Sequence, residues 1–137
     1  MRFLLHGIIH PDTQAALTRH EQVCHLPLEL SADTDAPGEI LSNPELLFPL
    51  LQIKQWQLIT TDTELVQQLY EKKIDFPGII VLLLESRTSA EDANPIASQA
   101  KGIDRLFERY PRLTPRRLYT VTPNRVKIRQ LPGAGQA

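Results

Sequence analysis

Apolar and polar positions along the chain switch between a period of two and a period near 3.6. Met1–Leu5 is apolar with weak alternation and predicts a buried first strand. Pro11 and Asp12 then precede Ala15, Ala16 and Leu17, which predicts a helix over 11–19. Gln22–Leu26 predicts a short second strand, and residues 29–39 (ELSADTDAPGE), rich in turn formers and without periodicity, predict a loop. Ser42-Asn43-Pro44-Glu45 reads as a helix start, with Ser42 and Glu45 forming a capping box. That helix should carry Leu46, Leu47, Leu50 and Leu51 and reach Ile53, with a kink or a late start at Pro49. Gln57–Thr61 predicts a third strand, followed at once by a helix with Leu65, Val66, Leu69 and Tyr70 on one face.

Gly78–Leu84 (GIIVLLL) is a continuous apolar run, the pattern of a central parallel strand buried on both faces. A helix follows with Ala100, Ile103, Leu106, Phe107 and Tyr110 on one face and Lys101, Arg105, Arg109 and Arg112 on the other. Leu118–Thr122, a Pro-Asn turn and Arg125–Leu131 outline a C-terminal hairpin. In its second strand Val126 and Ile128 point one way, and Arg125, Lys127 and Arg129 the other. Residues 1–132 then form one domain, and the tail 133–137 (GAGQA) is expected to be disordered. Strands alternating with helices through residue 84 predict a mostly parallel α/β sheet, whose ligands gather at the carboxyl ends of the strands. His6 and Asp62 both follow strands and so fall on that edge.

Composition adds little to this picture, but charge adds something. At 42% hydrophobic and 23% charged residues, the 137-residue chain is ordinary for a globular domain. Its single cysteine, Cys24, rules out an intrachain disulfide. The apolar start is broken by His6, too short for a signal peptide, and no apolar run approaches a membrane span, so a cytoplasmic location without membrane attachment is expected. The net charge of −1 hides a division: residues 1–100 hold 6 Lys/Arg against 14 Asp/Glu, and residues 101–137 hold 9 against 2. Such a basic tail either forms a solvated face or meets an anionic polymer. Arg116, Arg117, Arg125, Lys127 and Arg129 are the candidates for tracking a phosphate backbone, although Tyr119 alone gives no stacking set.

The stretches MRFLLHG, SNPELL, QLITTDTEL, FPGIIVLLLE and RLYTVTPNRVKIRQLP, in that order, resemble the small bacterial PIN-like proteins related to VapC toxins. The likeness runs from the first residue to about Pro132. It implies a three-layer α/β/α fold and a carboxylate cluster that binds Mg²⁺ or Mn²⁺ and cleaves RNA. It also implies RNA and an antitoxin-like protein as partners, and leaves room for a homo-oligomer. Hard divalent cations suit such oxygen ligands, and the metal activates water and stabilises phosphoryl charge.

Carried onto this chain, the third carboxylate of that pattern falls on Asp62, the fourth on Glu64, and the second on Glu45 or, failing that, Glu39. The first should follow strand one, where this chain has His6. Imidazole is a poor Mg²⁺ ligand and suits Mn²⁺, Zn²⁺ or Fe²⁺ better, so either the site has changed metal or it is no longer catalytic and the chain is a module that binds RNA or a protein partner. The catalytic and metal candidates are therefore Asp62, Glu45, Glu64 and His6. Each has a plain structural alternative: Asp62 as a helix cap, Glu64 as the partner of Thr61 in a capping box, Glu45 as the partner of Ser42, and His6 as a polar strand end. His20, Cys24 and His25 lack the paired spacing of a zinc site. No phosphate-binding glycine loop and no nucleophile elbow is present.

Overall fold

The computed structural model describes residues 1–32, 35–84, 95–122 and 125–132. One six-stranded sheet gathers β1 (Arg2–His6), β2 (Val23–His25), β3 (Gln57–Thr60), β4 (Ile79–Leu83), β5 (Arg117–Val121) and β6 (Val126–Gln130) in the order β2-β1-β3-β4-β5-β6. The first five are parallel, and β6 pairs antiparallel with β5. All five residues of β4 are buried, as its unbroken apolar run requires of a strand covered on both faces. The Pro123-Asn124 turn and the tail 133–137 lie outside the described residues.

Helices cover both faces because successive strand residues point to opposite sides. On one face Phe3, Leu5, Ile59, Val81 and Tyr119 pack with Ala16 and Leu17 of α1 (Pro11–Arg19) and Ile103, Leu106 and Phe107 of α5 (Pro95–Arg109). On the other, Leu4, Leu58, Ile80 and Leu118 pack with Leu47, Phe48 and Leu51 of α3 (Pro44–Lys54) and Leu65, Val66 and Leu69 of α4 (Thr63–Glu71). Among the described residues no helix is long and apolar enough to cross a membrane.

Three expectations need correction, while α3 carries Leu46 and reaches Ile53 as expected. Residues 29–39 are not all loop: a 3₁₀ helix spans Pro27–Ala32 and α2 spans Pro37–Ser42. The cap of α3 is Asn43, whose side chain accepts from the Glu45 N–H, while the Ser42 hydroxyl donates back to the carbonyls of Gly38 and Glu39. Pro49 does not delay α3, which starts at Pro44 and runs on to Lys54. Leu46 and Ile53 are exposed, at 49% and 79%. An almost wholly apolar helix does not reveal which side it will bury, and the sheet chose the Leu47–Phe48–Leu51 side.

The β2 margin is pinned by an aromatic stack. The His25 ring lies flat against Trp56, with centroids 4.0 Å apart and planes 9° from parallel, and Lys54 sits over the same indole. His25 Nδ1 also holds Glu29 at 3.1 Å.

Candidate functional site

A 2-1-3-4-5 order of parallel strands reverses between β1 and β3. The chain leaves β1 for α1 on one face and leaves β3 for α4 on the other, which makes this edge the topological switch point, where a crevice that binds ligands is expected in such sheets. His6, Gly7 and Ile8 form one lip; Thr60, Thr61 and Asp62 form the other.

Hydrogen bonds lace the lips together. His6 is the last residue of β1, not the first beyond it, and is 7% exposed. Its Nε2 lies 2.9 Å from the Leu41 carbonyl of α2, and its Nδ1 lies 2.8 Å from Thr60 Oγ1. A carbonyl only accepts, so the network assigns the proton to Nε2 and leaves the Nδ1 lone pair to accept from the Thr60 hydroxyl. The same Thr60 oxygen accepts the Asp62 N–H at 2.9 Å. Ile8 N–H donates to Thr61 Oγ1 at 2.9 Å, and Thr61 N–H to the His6 carbonyl at 3.3 Å. Gly7 makes this approach possible. Its φ is +85°, and a Cβ there would stand 2.4 Å from Thr61 Oγ1.

Gln99 of α5 braces the first lip. It is 6% exposed, and its Oε1 accepts from His10 N–H and the Thr13 hydroxyl while its Nε2 donates to the Ile8 carbonyl. Sequence reasoning missed this residue. Its signal was available: Gln99 begins the stripe continued by Ile103, Leu106 and Phe107, and a polar residue on a core stripe must find buried partners.

Of the acidic candidates, Asp62 is the N-cap of α4: its Oδ1 accepts from the N–H groups of Glu64 (3.0 Å) and Leu65 (3.2 Å). The Thr61–Glu64 capping box does not form, because the cap is one residue later and Thr61 is turned to Ile8. Glu64 is exposed in the first turn of α4, and Glu39 is exposed in α2. Glu45 is exposed and pairs at 3.4 Å with Lys72, the residue that ends α4, whereas Asp62 begins it. Among the described residues no three His, Cys, Asp or Glu side chains gather to hold a metal ion. Two donors a hard cation would need are already engaged: the His6 lone pair by the Thr60 hydroxyl and one Asp62 oxygen by the α4 cap. The His20–Cys24–His25 group is dispersed, with His20 on Asp104, His25 on Glu29, and the Cys24 thiol raised in pKa by burial.

The basic candidates divide. Arg116 is paired with Asp75 at 2.8 Å, and Arg117 reaches the Arg116 carbonyl. Arg125, Lys127 and Arg129 are exposed along β6. The register sets Lys127 opposite Thr120 and Arg129 opposite Leu118, so both lie on the α4 side of the sheet, where the Arg129 guanidinium sits 3.9 Å from the Tyr70 ring centre. Val126 and Ile128, opposite Val121 and Tyr119, face the other side.

Compared with known proteins, the chain matches no family model, no curated protein and no solved structure.

Proposed function

We propose that the chain is a PIN-like module that works by binding, with the basic strand β6 as its working surface. The observation that carries this reading is the engagement of both His6 ring nitrogens, one by Leu41 and one by Thr60. Where the resembled pattern has a carboxylate ligand, this chain has a side chain that ties β1 to β3 and to α2. Its lone pair would have to leave the Thr60 hydroxyl before it could meet a cation. Freeing it would strand a buried hydroxyl, a cost of about 1–3 kcal/mol before any ligation is gained.

A second reading, a metal-dependent ribonuclease with an altered ligand set, is favoured by one feature. Asp62 stands at the crevice, and only its Oδ1 is engaged in the cap. Mg²⁺ or Mn²⁺ would then be the cofactor and RNA the substrate.

The two readings separate in a single-stranded RNA cleavage assay run beside calorimetric titration with Mg²⁺ and Mn²⁺. Under the binding reading, the native chain shows no metal-dependent cleavage, and His6→Asp gains no divalent-ion affinity, because Glu45 answers to Lys72 and not to this site. Robust Mg²⁺-dependent cleavage by the native chain, lost in Asp62→Asn, would overturn the binding reading.

A further inference from the structure

A strand at the margin of a sheet offers one row of peptide groups to its neighbour and a second row to whatever comes alongside. In the β5–β6 pair, Leu131 N–H bonds to the Arg116 carbonyl and Thr122 N–H to the Arg125 carbonyl. Antiparallel ladders repeat every two residues, so 125, 127, 129 and 131 turn their peptide groups towards β5, and 126, 128 and 130 turn theirs outward. The Tyr70 hydroxyl caps the outward carbonyl of Gln130 at 2.8 Å. Among the described residues nothing bonds the outward groups of Val126 and Ile128.

Charge of one sign flanks this row on the α4 face, and on the α5 face cations share the surface with Glu108. Arg125, Lys127 and Arg129 flank it on the α4 face. On the α5 face, Gly102 sits against Val121 of β5, and Asp104 turns to Arg19 and His20 of α1. Arg105 and Arg109, three and seven residues beyond Gly102, therefore lie on the flank of α5 nearer β6. Between these cations the strand is apolar: Ile128 is 45% exposed, and Val126 packs on the core.

We propose that β6 accepts an extended peptide segment of a partner protein as a seventh strand, with acidic side chains on the α4 face alternating with apolar side chains on the α5 face. This rests on the binding reading above and names its partner. Basic residues on an edge strand usually bar pairing, and here they bar a second copy. An antiparallel β6–β6 pair centred on Ile128 would set Lys127 against Arg129 of the other chain, like charge on like charge. An acidic strand meets the opposite condition. Alternating N–H and C=O groups complement a peptide backbone, whereas a phosphate chain uses only the donors and finds aliphatic Ile128 and Val126 where bases would stack.

The test is fluorescence anisotropy of the full chain with a labelled heptapeptide alternating glutamate and valine. Saturable binding is expected, weakened about tenfold or more when lysine replaces glutamate or when alternate peptide nitrogens are methylated. Ile128→Pro removes one outward N–H and leaves the β5 ladder intact, because edge strands tolerate proline on the solvent side. Lys127→Glu reverses one flanking charge with no backbone change. Each should weaken the glutamate peptide about tenfold. Full-strength binding by both variants, or no binding to the native chain, would overturn the proposal. Binding of oligouridine RNA in place of the peptide, or a dimer that Ile128→Pro dissolves, would overturn it in favour of those occupants. Metal-dependent cleavage of that RNA would instead sink the binding reading and leave the peptide titration to judge the strand site.

Discussion

Replacing Thr60 by valine keeps the branched shape that suits a strand and deletes one oxygen, so its cost is the cost of the bonds made by that oxygen. Thr60 is fully buried. Its hydroxyl donates to His6 Nδ1 at 2.8 Å and accepts from Asp62 N–H at 2.9 Å. Without it, His6 keeps a buried acceptor with no donor, worth about 1–3 kcal/mol. The Asp62 N–H is nearer solvent and can turn to water, so its loss adds at most about 1 kcal/mol. The extra methyl of valine returns roughly 0.8 kcal/mol. The net is a destabilisation of about 2 kcal/mol, a fall in Tm of roughly 7 °C for a domain of this size. Urea unfolding followed by circular dichroism measures it. Thr60→Ser keeps the oxygen and loses only a methyl group, so it should cost about 1 kcal/mol, less than valine. With His6→Phe already in place, Thr60→Val should cost at least about 0.5 kcal/mol less than it does alone. A valine variant as stable as the native chain, or a serine variant worse than valine, would refute the network as drawn.

Gly7→Ala should destabilise by about 1–3 kcal/mol in the same unfolding experiment, because alanine resists a φ of +85° and its Cβ collides with Thr61 Oγ1. Thr61→Ala should relieve the collision but not the backbone strain. Glu29 has its carboxyl pKa lowered below the ordinary 4.5, first by its hydrogen bond to His25. A depressed carboxylate stabilises the fold above its unfolded pKa, and that contribution fades as pH falls through the folded value, so the loss lies on the acid side of 4.5. Because Glu29 is half-exposed, the effect on stability is small, and an NMR titration of its carboxyl carbon is the sharper readout. The titration should move up towards the ordinary value in His25→Phe, because the His25 hydrogen bond is the largest cause of the lowering.

The parts of the fold that were legible rest on local pattern. The buried run of β4, the stripe of Leu65, Val66 and Leu69 on α4, and the Pro11–Arg19 helix each follow from spacing within a few residues. What was not legible depends on distant partners. Helix α2 has no buried residue and little periodicity, and the bond from His6 to Leu41 ties its last turn to β1. Ser42 and Asn43 are both good caps, as are Thr61 and Asp62, and the choice between neighbours is made by contacts such as Thr61 with Ile8. Topology placed His6 and Asp62 together at one sheet edge from strand ends alone. It could not place Glu45, whose carboxylate answers to Lys72, 27 residues further along the chain.

The chain's single tryptophan also decides how such measurements can be followed. Trp56 lies against His25, a residue of β2, and β2 and β6 are the opposite ends of a six-stranded order, five spacings or roughly 24 Å apart. Its intrinsic emission is therefore a local optical label for the β2 margin. Loosening that margin would expose the indole and redden its light while the rest of the sheet stayed folded. A strand arriving at β6 would leave the same emission almost unmoved.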